Sequence, residues 1–337
     1  MLQWVFLDYG RPAFAGSGQD AHTVNAPNAI ADPAEGFEPY RRRLLGLAYR
    51  MLGSMSDAED AVQEAYLRWH GADRANVSDP RAFLMTTTTR ICLDMQTTAR
   101  ARREEYVGTW LPEPVLDTSV LAPDCRTELA EDLSFALLLT LDRLSPLERA
   151  AFLLHDVFDF SFNEVATALE RTEAACRQLA SRARQHVRDS RPRGVTAPPA
   201  HSTGVDAKHA QLISAFQAAV QSGDLNGVTQ LLASDVRVWS DGGGKVRSAP
   251  EVLEGADRVA RFVIGAARPH PGQWWRPEFT LRLAAVNGLP ALIVDAPGGP
   301  VQTAAFEIEG GVIQAMYVVR NPDKLRHLAT AQIRKTT

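Results

Sequence analysis

From Ser145 to Arg188 the apolar positions follow a helical period that is interrupted twice by cap signals. Ser145, Pro146 and Glu148 fit an N-cap, a first-turn proline and a capping-box glutamate. Ser161 and Glu164 repeat the box, which predicts a short helix to Leu169 with Val165 and Leu169 on its apolar face. After a turn at Arg171 and Thr172, a second helix is predicted from Glu173 to about Arg188. Cys176, Ala180, Ala183 and Val187 share one buried stripe of it. Arg177, Gln178, Ser181, Arg182 and Gln185 show on the opposite face. Two short helices, a tight turn and an outward face of Arg, Gln and Ser predict a helix-turn-helix able to lay its second helix in a major groove. Many such turns contain glycine, whereas here the positions are Glu170 and Arg171. The competing reading is an ordinary helical hairpin with a solvated basic face.

Upstream, PYRRRLLGLAYRML has the spacing of one amphipathic helix that ends at Gly53. Ser56 and Glu59 read as a third capping box, opening DAEDAVQEAYLRWH. There Ala61, Val62, Ala65 and Trp69 face inward, and Asp57, Asp60, Gln63, Glu64 and Arg68 face solvent. A polar loop, GADRANVSD, leads to Pro80 and a long basic segment with Arg81, Arg90, Arg100, Arg102 and Arg103. Its four consecutive threonines are poor helix formers, so a helix there needs tertiary packing. Residues 1–36 show no sustained period and read as a disordered extension. Residues 37–106 are helical, and 107–127, with three prolines, form a linker. The Trp110–Leu111 pair followed by the stiff Pro112-Glu113-Pro114 unit reads as a docked linker. Glu128 to Leu144 is an apolar helix leading into the helix-turn-helix, so that 128–190 form one unit, and 191–204 are a second linker.

Residues 205–337 change character. Two helices, KHAQLISAFQAAVQSG and LNGVTQLLA, precede the strand-like runs DVRVWS, FTLRLAAV, ALIVDA, QTAAFEIE and VIQAMYVV. The prediction is an α+β domain with a mostly antiparallel, curved sheet. Trp239, Trp274, Trp275, Phe279 and Phe306 are available to line a pocket, although aromatics at these spacings more often form core. Two punctuated motifs stand out, DGGGK (Asp241, Gly242, Gly243, Gly244, Lys245) and NPDKL (Asn321, Pro322, Asp323, Lys324, Leu325). DGGGK lacks the G-x-x-x-x-G-K-[ST] pattern of a phosphate loop.

Charge and composition sharpen this picture. The formal net charge is −4, yet residues 171–193 hold seven arginines against Glu173 and Asp189. Phosphate binding follows local field and counterion release, so the concentration counts and the global sign does not. With 337 residues, two or three domains are expected. The three cysteines, Cys92, Cys125 and Cys176, show no CxxC pairing, which points to a reducing compartment without disulfides or zinc. The histidines form no metal-spaced cluster, and no apolar run is long enough to span a membrane. MLQWVFLDYG lacks the basic flank of a secretory signal. A cytoplasmic protein with no metal or cofactor is the expectation.

Taken together, these segments resemble the extracytoplasmic-function (ECF) sigma factors of bacterial RNA polymerase, of the sigma-70 family, in the subgroup with a fused carboxy-terminal SnoaL-like domain. DAEDAVQEAYLRWH is similar to the polymerase-binding helix of region 2. SDPRAFLMTTTTRICLD with ARARREEYVG is similar to the −10-reading segment, and TEAACRQLASRAR resembles the region 4 recognition helix. WLPEP, DGGGK and NPDKL are marks of the subgroup. The resemblance implies two all-α sigma domains followed by an α+β SnoaL/NTF2-like domain. As partners it implies core polymerase, through its β and β′ subunits, and promoter DNA. Asp60, Gln63 and Glu64 would contact the polymerase clamp. Arg81, Arg90, Arg100, Arg102 and Arg103 would track the −10 region, with the loop Gly71 to Asp79 taking a flipped base. Arg177, Gln178, Ser181, Arg182 and Arg184 would meet the −35 duplex, where Arg suits guanine and Gln adenine.

SnoaL-like relatives include small-molecule isomerases and cyclases that use an Asp or His. Asp235, Asp241 and Asp295 are available here, but no acid–base pair is placed by the sequence. The domain is therefore read as regulatory and not catalytic. DGGGK and NPDKL would hold it against region 2 and the linker residues Trp110, Leu111, Pro112, Glu113 and Pro114, setting the spacing of the two DNA-reading domains. Two other classes stay open: an enzyme or ligand sensor in the last domain with a DNA-binding appendage, and a ligand-sensing helix-turn-helix repressor.

Overall fold

The computed structural model describes residues 33–104, 106–116, 133–190, 205–267 and 278–334. Three helices open the chain: α1 (Pro33–Leu52), α2 (Met55–Gly71) and α3 (Pro80–Glu104). Helix α1 begins at Pro33, inside the stretch expected to be disordered; the rest of that stretch lies outside the described residues. Leu44, Leu47, Ala48, Met51 and Leu52 of α1 are buried against Ala58, Ala61, Val62, Ala65 and Trp69 of α2. The threonine run is helical, as the packing condition requires. Thr88 and Thr89 are fully buried, and the Thr89 hydroxyl donates back to the Met85 carbonyl at 2.8 Å.

The predicted capping box at Ser56 and Glu59 is replaced by another arrangement. Ser54 is the N-cap of α2, and its hydroxyl accepts from the Asp57 N–H. A second cap comes from the linker, because the Met55 N–H donates to Glu113 Oε2 at 2.7 Å. Only local partners are visible in sequence, so a cap arriving from so far along the chain was not.

The helix-turn-helix unit follows: α4 (Phe135–Asp142), α5 (Pro146–Phe152), α6 (Phe162–Leu169) and α7 (Glu173–Ser190). Both capping boxes, at Ser145/Glu148 and Ser161/Glu164, are formed in full. Beyond α5 the helix widens into a π-turn, Leu153–Val157. Cys176, Ala180, Ala183 and Val187 are buried as predicted. The turn without glycine is closed by Glu170 in the left-handed conformation (φ 54°, ψ 49°) and by Thr172, whose hydroxyl accepts from the Ala175 N–H. One contiguous apolar cluster runs from α1 through α7, so the two helical units share a core.

The last domain contains α8 (Ala207–Ser222), α9 (Leu225–Gln230), β1 (Leu232–Asp241), β2 (Leu253–Glu254), α10 (Ala256–Ala267), β3 (Thr280–Val286), β4 (Leu289–Ala296), β5 (Gly299–Glu309), β6 (Val312–Val319) and α11 (Pro322–Arg334). The sheet order is β2-β1-β6-β5-β4-β3, antiparallel except for the parallel pair β1–β6. This is the α+β class expected. The strands alternate as read. Val236, Val238, Phe306, Met316 and Val318 face α8 and α10, while Trp239, Ala305, Ala315, Tyr317 and Val319 face the other way, toward α4, α11 and the linker. Helices α10 and α11 were not anticipated. The proposed aromatic lining divides accordingly: Phe306 lies on one face of the sheet and Trp239 on the other, and Trp274 and Trp275 lie outside the described residues.

A left-handed backbone costs a non-glycine residue on the order of 1–2 kcal/mol. Glu170→Gly removes that cost but also an exposed ion pair with Arg90, worth about 0–1 kcal/mol. Denaturant unfolding is therefore expected to show a variant as stable as the parent or up to about 2 kcal/mol more stable.

Candidate nucleic-acid interface and interdomain latch

On α2, Asp60 and Gln63 are exposed and Glu64 is half-buried, paired with Arg68 at 2.9 Å. Leu67, one turn further on, is 56% exposed, large for an apolar side chain on a folded helix. Asp60, Gln63, Glu64 and Leu67 lie on one face of α2, at i, i+3, i+4 and i+7.

Two arginines of α3, Arg81 and Arg90, are engaged within the chain. Arg81 donates to the Phe158 carbonyl at 2.8 Å and lies over the Phe160 ring at 4.6 Å. Arg43 of α1 donates to the same carbonyl at 3.0 Å. Arg90 donates to the carbonyls of Thr167 (2.9 Å) and Ala168 (3.1 Å) and pairs with Glu170 at 3.2 Å. It thereby satisfies carbonyls left open at the end of α6, where the helix dipole favours a cation. Arg100, Arg102 and Arg103 sit on the last turns of α3, with side chains outside the described set. In the loop Gly71 to Asp79, a 3₁₀ turn at Arg74–Asn76 is braced by Asn76 donating to Asp73, and Asp79 caps α3.

On α7, Gln178 and Ser181 are exposed. Arg177 pairs with Glu173 at 2.7 Å and lies over Phe162 at 5.2 Å. Arg182 reaches Glu148 at 2.8 Å, and Arg184 is anchored to Asp156 of the π-turn at 2.7 Å. Burial alone would raise the Glu148 carboxyl, but hydrogen bonds from Ser145 and the charge of Arg182 outweigh it and hold the group below its usual range.

The WLPEP, DGGGK and NPDKL motifs converge on one buried carboxylate. Asp241 is fully buried, and its Oδ2 accepts from the Leu111 N–H at 2.9 Å and from Lys324 Nζ at 2.7 Å. Its Oδ1 accepts from the Tyr106 hydroxyl at 2.5 Å and the Gly243 N–H at 3.0 Å. The Lys324 ammonium also donates to the Leu111 carbonyl at 2.5 Å and lies 4.5 Å over the Trp110 ring and 4.9 Å over Tyr106. Asn321 donates to the Tyr106 oxygen at 2.8 Å, and Lys245 pairs with Asp323. The glycines have a steric reason. Gly243 and Gly244 have positive φ, and a Cβ on Gly243 would overlap the Asn321 side chain.

Further along, the linker backbone from Glu113 to Val115 is held at several points. The Glu113 N–H donates to the Gly53 carbonyl, and its own carbonyl accepts from the Tyr49 hydroxyl at 2.7 Å. His327 contacts the Pro114 carbonyl at 2.6 Å. Val115 exchanges two hydrogen bonds with Asn287, at 2.8 and 2.9 Å, and Asn287 Nδ2 donates to both Tyr49 Oη and the Leu133 carbonyl. Sequence reasoning missed Tyr49, Tyr106, Asn287 and His327. Asn287-Gly288 carries a hairpin-turn signature, with φ of 51° and 75°, but nothing local shows what the Asn side chain binds.

Of the carboxylates considered for catalysis, Asp235 is exposed, Asp295 pairs with Arg282 at 2.6 Å, and Asp241 serves the linker.

Tyr106 is pushed above the ordinary tyrosine range by burial first, then by its hydrogen bond to Asp241. A raised folded pKa means that its contribution is complete below pH ~10 and is lost as pH rises beyond that value. Asp241→Asn is expected to lower the phenol pKa in an ultraviolet difference titration. By leaving Lys324 buried without its charge partner, it is also expected to destabilise the chain by about 3–5 kcal/mol in thermal unfolding.

Two stretches match known families: Sigma-70 region 2 over residues 37–103, and Sigma-70, region 4 over residues 134–187. The ECF RNA polymerase sigma factor SigJ of Mycobacterium tuberculosis is 42% identical over 299 residues, covering 86% of this chain and 91% of that protein. A probable ECF sigma factor of the same species, SigI, is 32% identical over 291 residues, covering 86% and 93%. The crystal structure of M. tuberculosis SigJ superposes with a TM-score of 0.63 at 36% identity, covering 86% of this chain and 97% of that one. With both sigma-70 regions matched and 86% of the chain covered by a relative 42% identical to it, the chain belongs to the ECF sigma factors, the subunits that direct RNA polymerase to promoters.

Proposed function

We propose that the fused α+β domain is a built-in regulator. It grips the linker and so sets how regions 2 and 4 are held, and with that whether their promoter-reading surfaces are available. Core polymerase, through its β and β′ subunits, docks on the α2 stripe of Asp60, Gln63 and Glu64. Arg81, Arg90, Arg100, Arg102 and Arg103 follow the −10 region. Arg177, Gln178, Ser181, Arg182 and Arg184 meet the −35 duplex, and the protein acts in the cytoplasm without catalysis of its own. The observation that carries this reading is the use made of Arg81 and Arg90. Both lie in the −10 segment, yet both hydrogen-bond to region 4 carbonyls, and a guanidinium engaged there is not presented to a phosphate. The commitment of Asp241 and Asp295 to Lys324 and Arg282 favours regulation over an isomerase-type role for the last domain. A small-molecule ligand of that domain would act by loosening the same contacts.

Truncation after Gly204 removes the grip on the linker. Run-off transcription with core polymerase is expected to change by at least about fivefold, the scale of an allosteric coupling; unchanged output refutes the regulatory reading. Arg182→Ala is expected to weaken −35 binding by about 1–3 kcal/mol on the cognate sequence if it reads a base. An equal loss on every sequence would make Arg182 a phosphate contact.

A further inference from the structure

Helix α2 presents the polymerase-facing stripe, and its first turn is completed from outside region 2. Ser54 satisfies the Asp57 N–H from within the segment. The Met55 N–H is satisfied by Glu113 Oε2 at 2.7 Å, and Glu113 Oε1 accepts from the Ser54 hydroxyl at 2.9 Å. A carboxylate at this end meets both an open amide and the positive pole of the helix dipole. Glu113 is 8% exposed, so the charge sits where screening is weak.

Glu113 holds this position because its neighbours are clamped by the last domain. Asn287, at the tip of the β3–β4 hairpin, binds Val115 through both its backbone and its side chain. Its Nδ2 orients Tyr49, whose hydroxyl in turn holds the Glu113 carbonyl. His327 of α11 fixes the Pro114 carbonyl between them. Asn287 is 1% exposed and lies outside the WLPEP, DGGGK and NPDKL motifs.

We infer that Glu113 is a conditional N-cap of the polymerase-binding helix, and that Asn287 is the positioning residue through which the last domain keeps it in place. The domain then acts on the α2 docking face itself, in addition to the spacing of regions 2 and 4. When the hairpin tip lets go of the linker, the first turn of α2 loses its charged cap and frays toward Asp60. This rests on the regulatory reading above and names a second target for it.

Amide hydrogen exchange on the full-length chain tests the inference. Asn287→Gly keeps the left-handed backbone permissible while deleting the side-chain bonds to Val115, Tyr49 and Leu133. Glu113→Gln removes the carboxylate alone. In both, the Met55 amide is expected to exchange about five- to tenfold faster, the scale of a lost cap. The Thr88 and Thr89 amides of α3 are expected to keep their protection, which shows that region 2 remains folded. Affinity for core polymerase is expected to fall by a similar factor. Unchanged Met55 protection in Asn287→Gly overturns the inference. A fluorophore pair reporting the distance between regions 2 and 4 in the same samples separates the two readings. A changed distance with Met55 still protected leaves only the spacing mechanism, and faster Met55 exchange at constant distance leaves only the cap.

Discussion

A carboxylate and an ammonium buried side by side, Asp241 and Lys324, constrain the rest of the chain. Two charges removed from water are tolerated only if nearly every lone pair and proton finds a partner. The partners used here come from three separate places. Tyr106 and Leu111 lie just before and within the linker, Gly243 in the loop after β1, and Lys324 in the first turn of α11. Withdrawal of a neutral donor leaves a buried carboxylate lone pair unsatisfied, and withdrawal of Lys324 leaves the charge itself uncompensated. A proline-rich segment that would otherwise wander is thereby fixed on the sheet face lined by Trp239, Ala305 and Tyr317.

The same economy of charge governs the contact between the two sigma regions. Carbonyls at the end of α6 and at Phe158 need donors, and arginines of α1 and α3 supply them. A guanidinium serves phosphate oxygens by the same planar donor geometry. On the reading proposed above, the arginines exchange one set of oxygens for another as the protein passes from its closed form to the promoter. Because regions 2 and 4 also share an apolar core, that exchange has to be accompanied by core opening, which favours an additional partner such as the polymerase.

Local chemistry was well represented in the residues. Ser145 with Glu148 and Ser161 with Glu164 announce their helices because a capping box closes within one turn. The buried stripe of α7 and the alternation of the strands follow from periods of 3.6 and 2. The prediction failed where the partner is distant. The start of α2 was placed at Ser56, whereas the N-cap is Ser54, joined by Glu113 from the linker, which no local pattern announces. Asp241 was placed in a motif expected to hold the linker, but nothing adjacent to it tells that its partners are Lys324 and the Leu111 N–H. Helices α10 and α11 were overlooked because the strand signals around them dominated the pattern.

By itself the sequence determined the helix-turn-helix, the α+β character of the last domain, the concentration of arginine, and the motifs WLPEP, DGGGK and NPDKL. All of these are written in neighbouring residues, through caps, periodicity and glycine placement. Only the tertiary structure decided that the motifs meet around one carboxylate, that Arg81 and Arg90 are spent on region 4, and that Asn287 and Tyr49 hold the linker. The physical reason is that a hydrogen bond or ion pair between distant segments leaves no periodic trace. Its energy depends on the burial and approach of groups whose separation along the chain is arbitrary.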